Sequence, residues 1–338
     1  MHLDLALGKR HLALFLGSLA ALVALAATPQ LLGDRVGAGI DGLTEASAAW
    51  IWLAAAAFAG SLAASAAGWG SAISRCGGTT TRADAAARYC TGSLVNSLAP
   101  ARLGTAVRFA LFSRTLPNEG RLWTVGGIAT SIGAVRALWL ALVLALGSLS
   151  GALPRWPIAL LLLGALVAAI VAWRARSTRP GRRFAHALDV FRVLGRSPRA
   201  AAQLAGWVGL AMALRVTAAT AIVAAFGIER PLLAALLIIP ALDLAGILPL
   251  TPGNVGVASA AVAFALKAHG AGSDVALTAG IAFGAVETLT TLALGCGSLL
   301  YFAGGRTDVR RWQPAAIAAT GCFALGVAFG ATVIVPLV

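Results

Sequence analysis

The stretch Asn96-Ser97-Leu98-Ala99-Pro100-Ala101-Arg102-Leu103-Gly104 interrupts an otherwise apolar segment, Tyr89 to Phe112. Proline has no backbone N–H and its ring clashes with the preceding turn, so a helix running through this segment is broken at Pro100. At 1.5 Å per residue, the pieces on either side reach only about 15–18 Å, roughly half a bilayer. The segment is expected to form a helix-break-helix hairpin that enters and leaves a membrane by the same face. A second segment, Leu232 to Ala268, is about twice too long for one span. It is broken at Pro249-Leu250-Thr251-Pro252-Gly253-Asn254, which predicts a second hairpin of the same kind.

Both breaks lie in a chain of 338 residues that is 59% hydrophobic and only 11% charged, with mean hydropathy +0.87. An average soluble domain has roughly 45–50% apolar and about 25% charged residues, which excludes a soluble globular fold. The formal charge of +14 would suggest nucleic-acid binding in a polar chain. In so apolar a chain it reads instead as the basic bias of cytoplasmic loops, and no nucleic-acid partner is expected. A hydrocarbon core about 30 Å thick needs about 20 helical residues. His11 to Leu32, Ala48 to Ile73, Leu122 to Leu149, Trp156 to Trp173, Gln203 to Phe226, Val275 to Phe302 and Pro314 to Val335 therefore read as full spans. The first has a small-residue site, Ala24-Leu25-Ala26, but is long for a signal-peptide core and is expected to be a retained helix.

Charge placement orients these spans. The loop Arg174 to Arg199 holds Arg174, Arg176, Arg179, Arg182, Arg183, Arg192, Arg196 and Arg199 against Asp189 alone, which puts it in the cytoplasm. With both broken segments as hairpins, alternation brings Lys9, Arg10, Arg75, Arg82, Arg88, Arg114, Arg121, Arg306, Arg310 and Arg311 to the same side. Only Arg35, Arg155, Arg230 and Lys267 fall outside. The N-terminus is then cytoplasmic and the C-terminus external, in a bacterial-type inner membrane.

The two broken segments also match each other. Pro100 to Gly104 aligns with Pro252 to Gly256, Gly133-Ala-Val-Arg136 with Gly284-Ala-Val-Glu287, and Gly147-Ser-Leu149 with Gly297-Ser-Leu299, all at a near-constant offset. The expected fold is thus an all-α polytopic membrane protein: a single membrane domain, 1–338, with seven transmembrane helices and two re-entrant helical hairpins. Residues 48–173 and 203–336 form two repeats, joined by the basic cytoplasmic linker 174–202. Because the span before each hairpin runs in the opposite sense, the repeats are inverted, an architecture that lets two mirror-related halves swap access to a central site.

Ionisable groups within hydrocarbon cost at least about 2.5–3.5 kcal/mol each on insertion scales, so those present mark a site or pair with one another. Arg136 and Glu287 occupy equivalent repeat positions and are candidates to neutralise each other, as are Arg215 and Asp243. The four are equally candidates to line or gate a cavity. Arg102 and Arg108 flank a helix restart, where free backbone N–H groups and the helix dipole favour an anion, a phosphate above all. Asn96, Pro100, Arg102, Gly104 and Arg108 form one candidate headgroup site. Thr251, Pro252, Gly253, Asn254 and Gly256 form its counterpart, although the glycines serve tight turning and helix packing equally well.

Other chemistry finds little support. Cys76, Cys90, Cys296 and Cys322 show no paired spacing and read as apolar fillers. His2, His11, His186 and His269 lack metal spacing, and neither a phosphate-binding G-x-x-x-x-G-K-[ST] loop nor a G-x-S-x-G elbow occurs. The acids Asp84, Glu119, Asp189 and Asp308 are dispersed, against a membrane-embedded transferase. No enzymatic activity, cofactor or metal is expected.

Asn96-Ser-Leu-Ala-Pro-Ala-Arg-Leu-Gly104, with Arg108 and Arg114 behind it, resembles the first signature of the lysylphosphatidylglycerol synthase transmembrane family, the flippase-like domain. Leu248-Pro-Leu-Thr-Pro-Gly-Asn-Val-Gly256 is similar to its second, P-x-T-P-G-G-x-G, with Asn254 at the second glycine. Where the family carries a Glu-Arg pair after the first hairpin, Arg136 here follows Val135. The resemblance spans about residues 10–336 and implies a polytopic protein related to the domain that moves aminoacylated phospholipid between leaflets. The soluble aminoacyl-transferase domain that follows in bifunctional members is expected to be absent. The expected function is movement of an anionic or phosphate-bearing lipid between leaflets without ATP, downhill or coupled to an ion gradient through Asp243 and Glu287. A polyprenyl-phosphate carrier is a variant substrate, and a non-transporting partner of a lipid-modifying or lipid-linked glycan enzyme is the alternative.

Overall fold

The computed structural model describes residues 46–98, 103–117, 120–151, 190, 192–195, 197–246 and 255–304. Among them every regular element is an α-helix: α1 (Ala48–Arg75), α2 (Arg82–Leu98), α3 (Leu103–Ser113), α4 (Arg121–Leu149), α5 (Pro198–Ala225), α6 (Pro231–Ala245), α7 (Val255–Ala268) and α8 (Ser273–Gly304). Helices α1, α4, α5 and α8 are long and apolar enough to cross a membrane, while α3, α6 and most of α7 form shorter apolar helices. The expected spans His11 to Leu32, Trp156 to Trp173 and Pro314 to Val335 lie outside the described residues, as does most of the linker 174–202.

Local chemistry sets the helix starts. Pro198 occupies the first turn of α5, where its missing N–H costs nothing, and the Ser197 hydroxyl accepts from the Ala200 N–H. At α2 the Thr81 hydroxyl accepts from the Asp84 N–H, and Asp84 lies in the first turn near the positive end of the dipole. Asp84 also pairs with Arg88 one turn on, at 2.8 Å. These features start α2 at Arg82 rather than Tyr89, so its 17 residues reach about 25 Å, longer than the expected half-bilayer piece. The early start is physical: the charged residues that end the apolar pattern satisfy one another and continue the helix.

The long–short–short–long order occurs twice, α1–α4 and α5–α8. Helix α3 restarts three residues after Pro100 and α7 three residues after Pro252, so the two breaks end at matching positions. The most extensive packing joins α1 to α5. Ser47 N–H donates to Ala225 O, Ser61 Oγ to Ala211 O, and Arg75 Nη2 to Gln203 Oε1, so these helices run antiparallel. Alanines line much of their buried surface, including Ala54, Ala57, Ala64, Ala72, Ala211 and Ala218. Between helices in lipid the apolar effect is weak, and small side chains supply the close van der Waals packing instead.

Each pair of short helices forms a hairpin closed at its base. Thr79 N–H donates to Thr115 O at the base of α2 and α3, and His269 Nε2 meets Glu229 O at the base of α6 and α7. The first base lies at the Arg75 end of the α1/α5 pair, and the second at the Ala225 end. Inside the α2/α3 hairpin, Gly104 sits against the Gly92 carbonyl and the Asn96 backbone, where no side chain fits. Two apolar clusters follow this arrangement. In one, Trp69 stacks on Phe112 at 5.0 Å; in the other, Phe58 meets Phe283 edge-on at 5.1 Å.

Candidate functional site

Between the two helical units lies a cavity of about 120 Å³, walled by α1, α2, α4, α5 and α8. Ser61 and Ser65 of α1, Tyr89 of α2, Arg136 of α4, Arg215 of α5, and Glu287 and Thr291 of α8 supply its polar lining. Phe58, Trp69, Ile132 and Met212 supply apolar wall. Long helices built on small residues bring these side chains together: the α1/α5 seam is narrow enough that residues from both units face one space.

The four intramembrane charges anticipated as cavity or gating groups are indeed paired, but the expected partners are exchanged. Arg136 Nη2 donates to Asp243 Oδ1 at 2.5 Å, linking α4 to α6. Arg215 Nη2 donates to Glu287 Oε1 at 3.0 Å, linking α5 to α8. The expectation of Arg136 with Glu287 and Arg215 with Asp243 is therefore corrected. Equivalent residues of an antiparallel pair of units meet only near the line relating them, as Ser61 and Ala211 do. Arg136 and Glu287 both line the cavity, but Arg136 reaches Asp243 of α6 and Glu287 reaches Arg215 of α5. The two pairs still share one space, since Arg136, Arg215 and Glu287 all line the same cavity.

Arg108 behaves differently. Its guanidinium lies over the Tyr89 ring at 4.0 Å and its Nη2 donates to Ser93 Oγ at 3.0 Å. Its Nε is buried without a hydrogen-bond partner, and no carboxylate among the described residues lies within ion-pair distance. Asn96 Oδ1 and Thr91 Oγ1, on the same hairpin, are likewise buried and unpartnered. A buried polar atom left without a partner costs about 1–3 kcal/mol, so this hairpin holds unused hydrogen-bonding capacity beside the cavity wall.

Pro100, Arg102, Thr251, Pro252, Gly253 and Asn254 lie outside the described residues, and Gly256 is placed only as part of the first turn of α7. Of the first candidate set, Asn96, Gly104 and Arg108 come together, with Gly104 serving the helix crossing. Tyr89, Ser93 and Thr91 were missed by sequence reasoning. Tyr89 carried a usable signal, as one of only two tyrosines in the chain, positioned in the segment broken by Pro100. Among the described residues no group of three His, Cys, Asp or Glu side chains converges to hold a metal ion.

Membrane-length apolar helices, two helical hairpins folded between them and ion pairs around a central cavity define a multi-pass membrane protein. The family described as lysylphosphatidylglycerol synthase TM region matches residues 11–295, and the chain belongs to that family. This makes it a membrane protein of lipid-related function. Among curated proteins none matches it in sequence.

Proposed function

We propose that the protein lets a phosphate-bearing lipid headgroup pass between leaflets through the central cavity, without covalent chemistry or nucleotide hydrolysis. The observation that carries this is Arg108: an intramembrane guanidinium that no described carboxylate balances, stacked on a tyrosine that lines the cavity. A phosphate is the natural partner for a guanidinium with a free N–H, because charge-assisted hydrogen bonds to phosphate oxygens are short and strong. The lipid partner is a membrane phospholipid or a polyprenyl phosphate. The antiparallel α1/α5 pair and the hairpins based at its opposite ends support an inverted repeat with re-entrant hairpins, in which two mirror-related halves alternate access to the cavity. The basic loops orient it in a bacterial-type inner membrane with the N-terminus cytoplasmic.

Reconstitution tests this directly. In liposomes carrying headgroup-labelled phosphatidylglycerol, an impermeant quencher reaches the inner-leaflet label faster when the protein is present, and Arg108→Gln slows that access. No acceleration over empty vesicles with either phosphatidylglycerol or a labelled polyprenyl phosphate overturns the reading. A second reading, a non-transporting partner of a lipid-modifying enzyme, is favoured by the family's description as the membrane region of a synthase. Co-purification of such an enzyme with a transport-inactive protein would select it.

A further inference from the structure

The two helical units are packed unequally. Helix α8 lies closely along α7 and α2, whereas the matching helix α4 makes far sparser contact with α3 and α6. Of the apolar stretch of α8, 44% is buried, against 17% for α4. Gly280 and Gly295 of α8 are pressed against Ser259 and Leu94, while Gly126 and Gly133 of α4 meet no described atom where a Cβ would stand; the close contact of α4 is with α5, where Trp139 lies against Gly209. Arg136 to Asp243 is a polar tie across the α4–α6 seam, and Val143 and Leu140 of α4 share one apolar cluster with Leu237 and Ala241 of α6.

We propose that Asp243 is a positioning residue that pins α4 in its loosely packed position through Arg136, and that a phosphate group entering the cavity releases α4 by drawing Arg136 off Asp243. This rests on the reading of the cavity as a phosphate site. While the pair stands at the seam, close packing would strip water from both ions, a cost of several kcal/mol per ion. When phosphate neutralises Arg136, Asp243 turns from the seam towards Arg215, which lines the same cavity as Arg136. The seam is then left apolar, and α4 adopts on α3 and α6 the packing that α8 has on α7 and α2. The ligand's greater affinity for the released state drives the shift, as any ligand-driven change requires.

The test measures distances between spin labels. On a background with the four cysteines replaced, one label pair is placed at exposed Leu138 of α4 and Leu244 of α6, and a control pair at Ala83 of α2 and Leu299 of α8. In maltoside detergent the α4–α6 pair is expected to give one distance. Phosphatidylglycerol nanodiscs add a shorter α4–α6 population and leave the α2–α8 distance unchanged, and inorganic phosphate in maltoside adds the same population to a smaller extent. Asp243→Asn produces the shorter population in maltoside alone. Asp243→Glu and the swap Arg136→Asp/Asp243→Arg both retain the single distance, showing that the charge pair and not the side-chain shape sets it. An unchanged distribution in Asp243→Asn and Arg136→Gln overturns the proposal, as does an equal shift in phosphate-free glycolipid nanodiscs. The outcomes separate from those of the transport assay. Shifted distances without lipid movement leave the latch and remove the transport reading; lipid movement with unchanged distances does the reverse.

Discussion

Arg136 and Asp243, 107 residues apart in the chain, meet at 2.5 Å and tie α4 of the first helical unit to α6 of the second. Arg215 and Glu287 form the other central pair, and that one stays within the second unit. The two pairs carry the same charges but connect different bodies, which makes their variants informative.

Breaking either pair on one side leaves a lone charge among apolar helices, at a cost of about 2.5–3.5 kcal/mol on insertion scales. Arg136→Gln and Glu287→Gln should each lower the thermal unfolding midpoint in detergent clearly. The double variants Arg136→Gln/Asp243→Asn and Arg215→Gln/Glu287→Gln should recover most of that loss. A double-mutant cycle measures the coupling, and purely additive losses would refute direct pairing.

Arg108→Lys keeps the charge but loses the planar stack on Tyr89 and the fork that reaches Ser93. A cation–π contact of this kind is worth about 0.5–2 kcal/mol, so lipid movement in liposomes should fall roughly 2- to 30-fold. Tyr89→Phe retains the ring and should stay near wild type, whereas Tyr89→Ala should match the lysine variant.

Gly104→Ala forces a methyl into the Gly92 carbonyl and the Asn96 backbone, so the α2/α3 hairpin must spread. Overpacking of this kind costs about 1–3 kcal/mol and should lower the unfolding midpoint. At Gly126, where a Cβ meets open space within α4, alanine should be neutral or stabilising by up to about 1 kcal/mol.

Cys76 follows α1 directly, beside Arg75, and burial pushes its thiol pKa up. The thiolate is the nucleophile, so a raised pKa means slow alkylation at neutral pH and a rate that climbs as pH rises towards that value. With the other three cysteines replaced, an impermeant maleimide should modify Cys76 in inside-out vesicles and not in right-side-out ones. The opposite sidedness would invert the proposed orientation.

Much of the fold was legible locally. A run of twenty apolar residues satisfies its backbone within its own helix and needs no partner to be recognised, so α1, α4, α5 and α8 follow from hydropathy within a few residues. Pro100 and Pro252 marked the breaks because a missing N–H is a local defect. The start of α2 was misplaced because Arg82, Asp84 and Arg88 look like a loop until their mutual hydrogen bonds are seen. Of the candidate site, Arg108 and Asn96 could be picked from their charge and polarity in an apolar segment. Thr91 and Ser93 could not, since a single hydroxyl in a helix usually bonds to the carbonyl one turn back.

By itself the sequence determined that this chain lives in a membrane, where its helices break, and which arginines and acids must be reckoned with, because burial of charge is costly wherever it occurs. Which charge meets which was decided only by the tertiary structure. Repeat equivalence pointed to Arg136 with Glu287, yet although both line the cavity Arg136 meets Asp243 and Glu287 meets Arg215. Partner choice depends on where the assembled helices bring each side chain, and the unequal packing of α4 and α8 is a property no local pattern encodes.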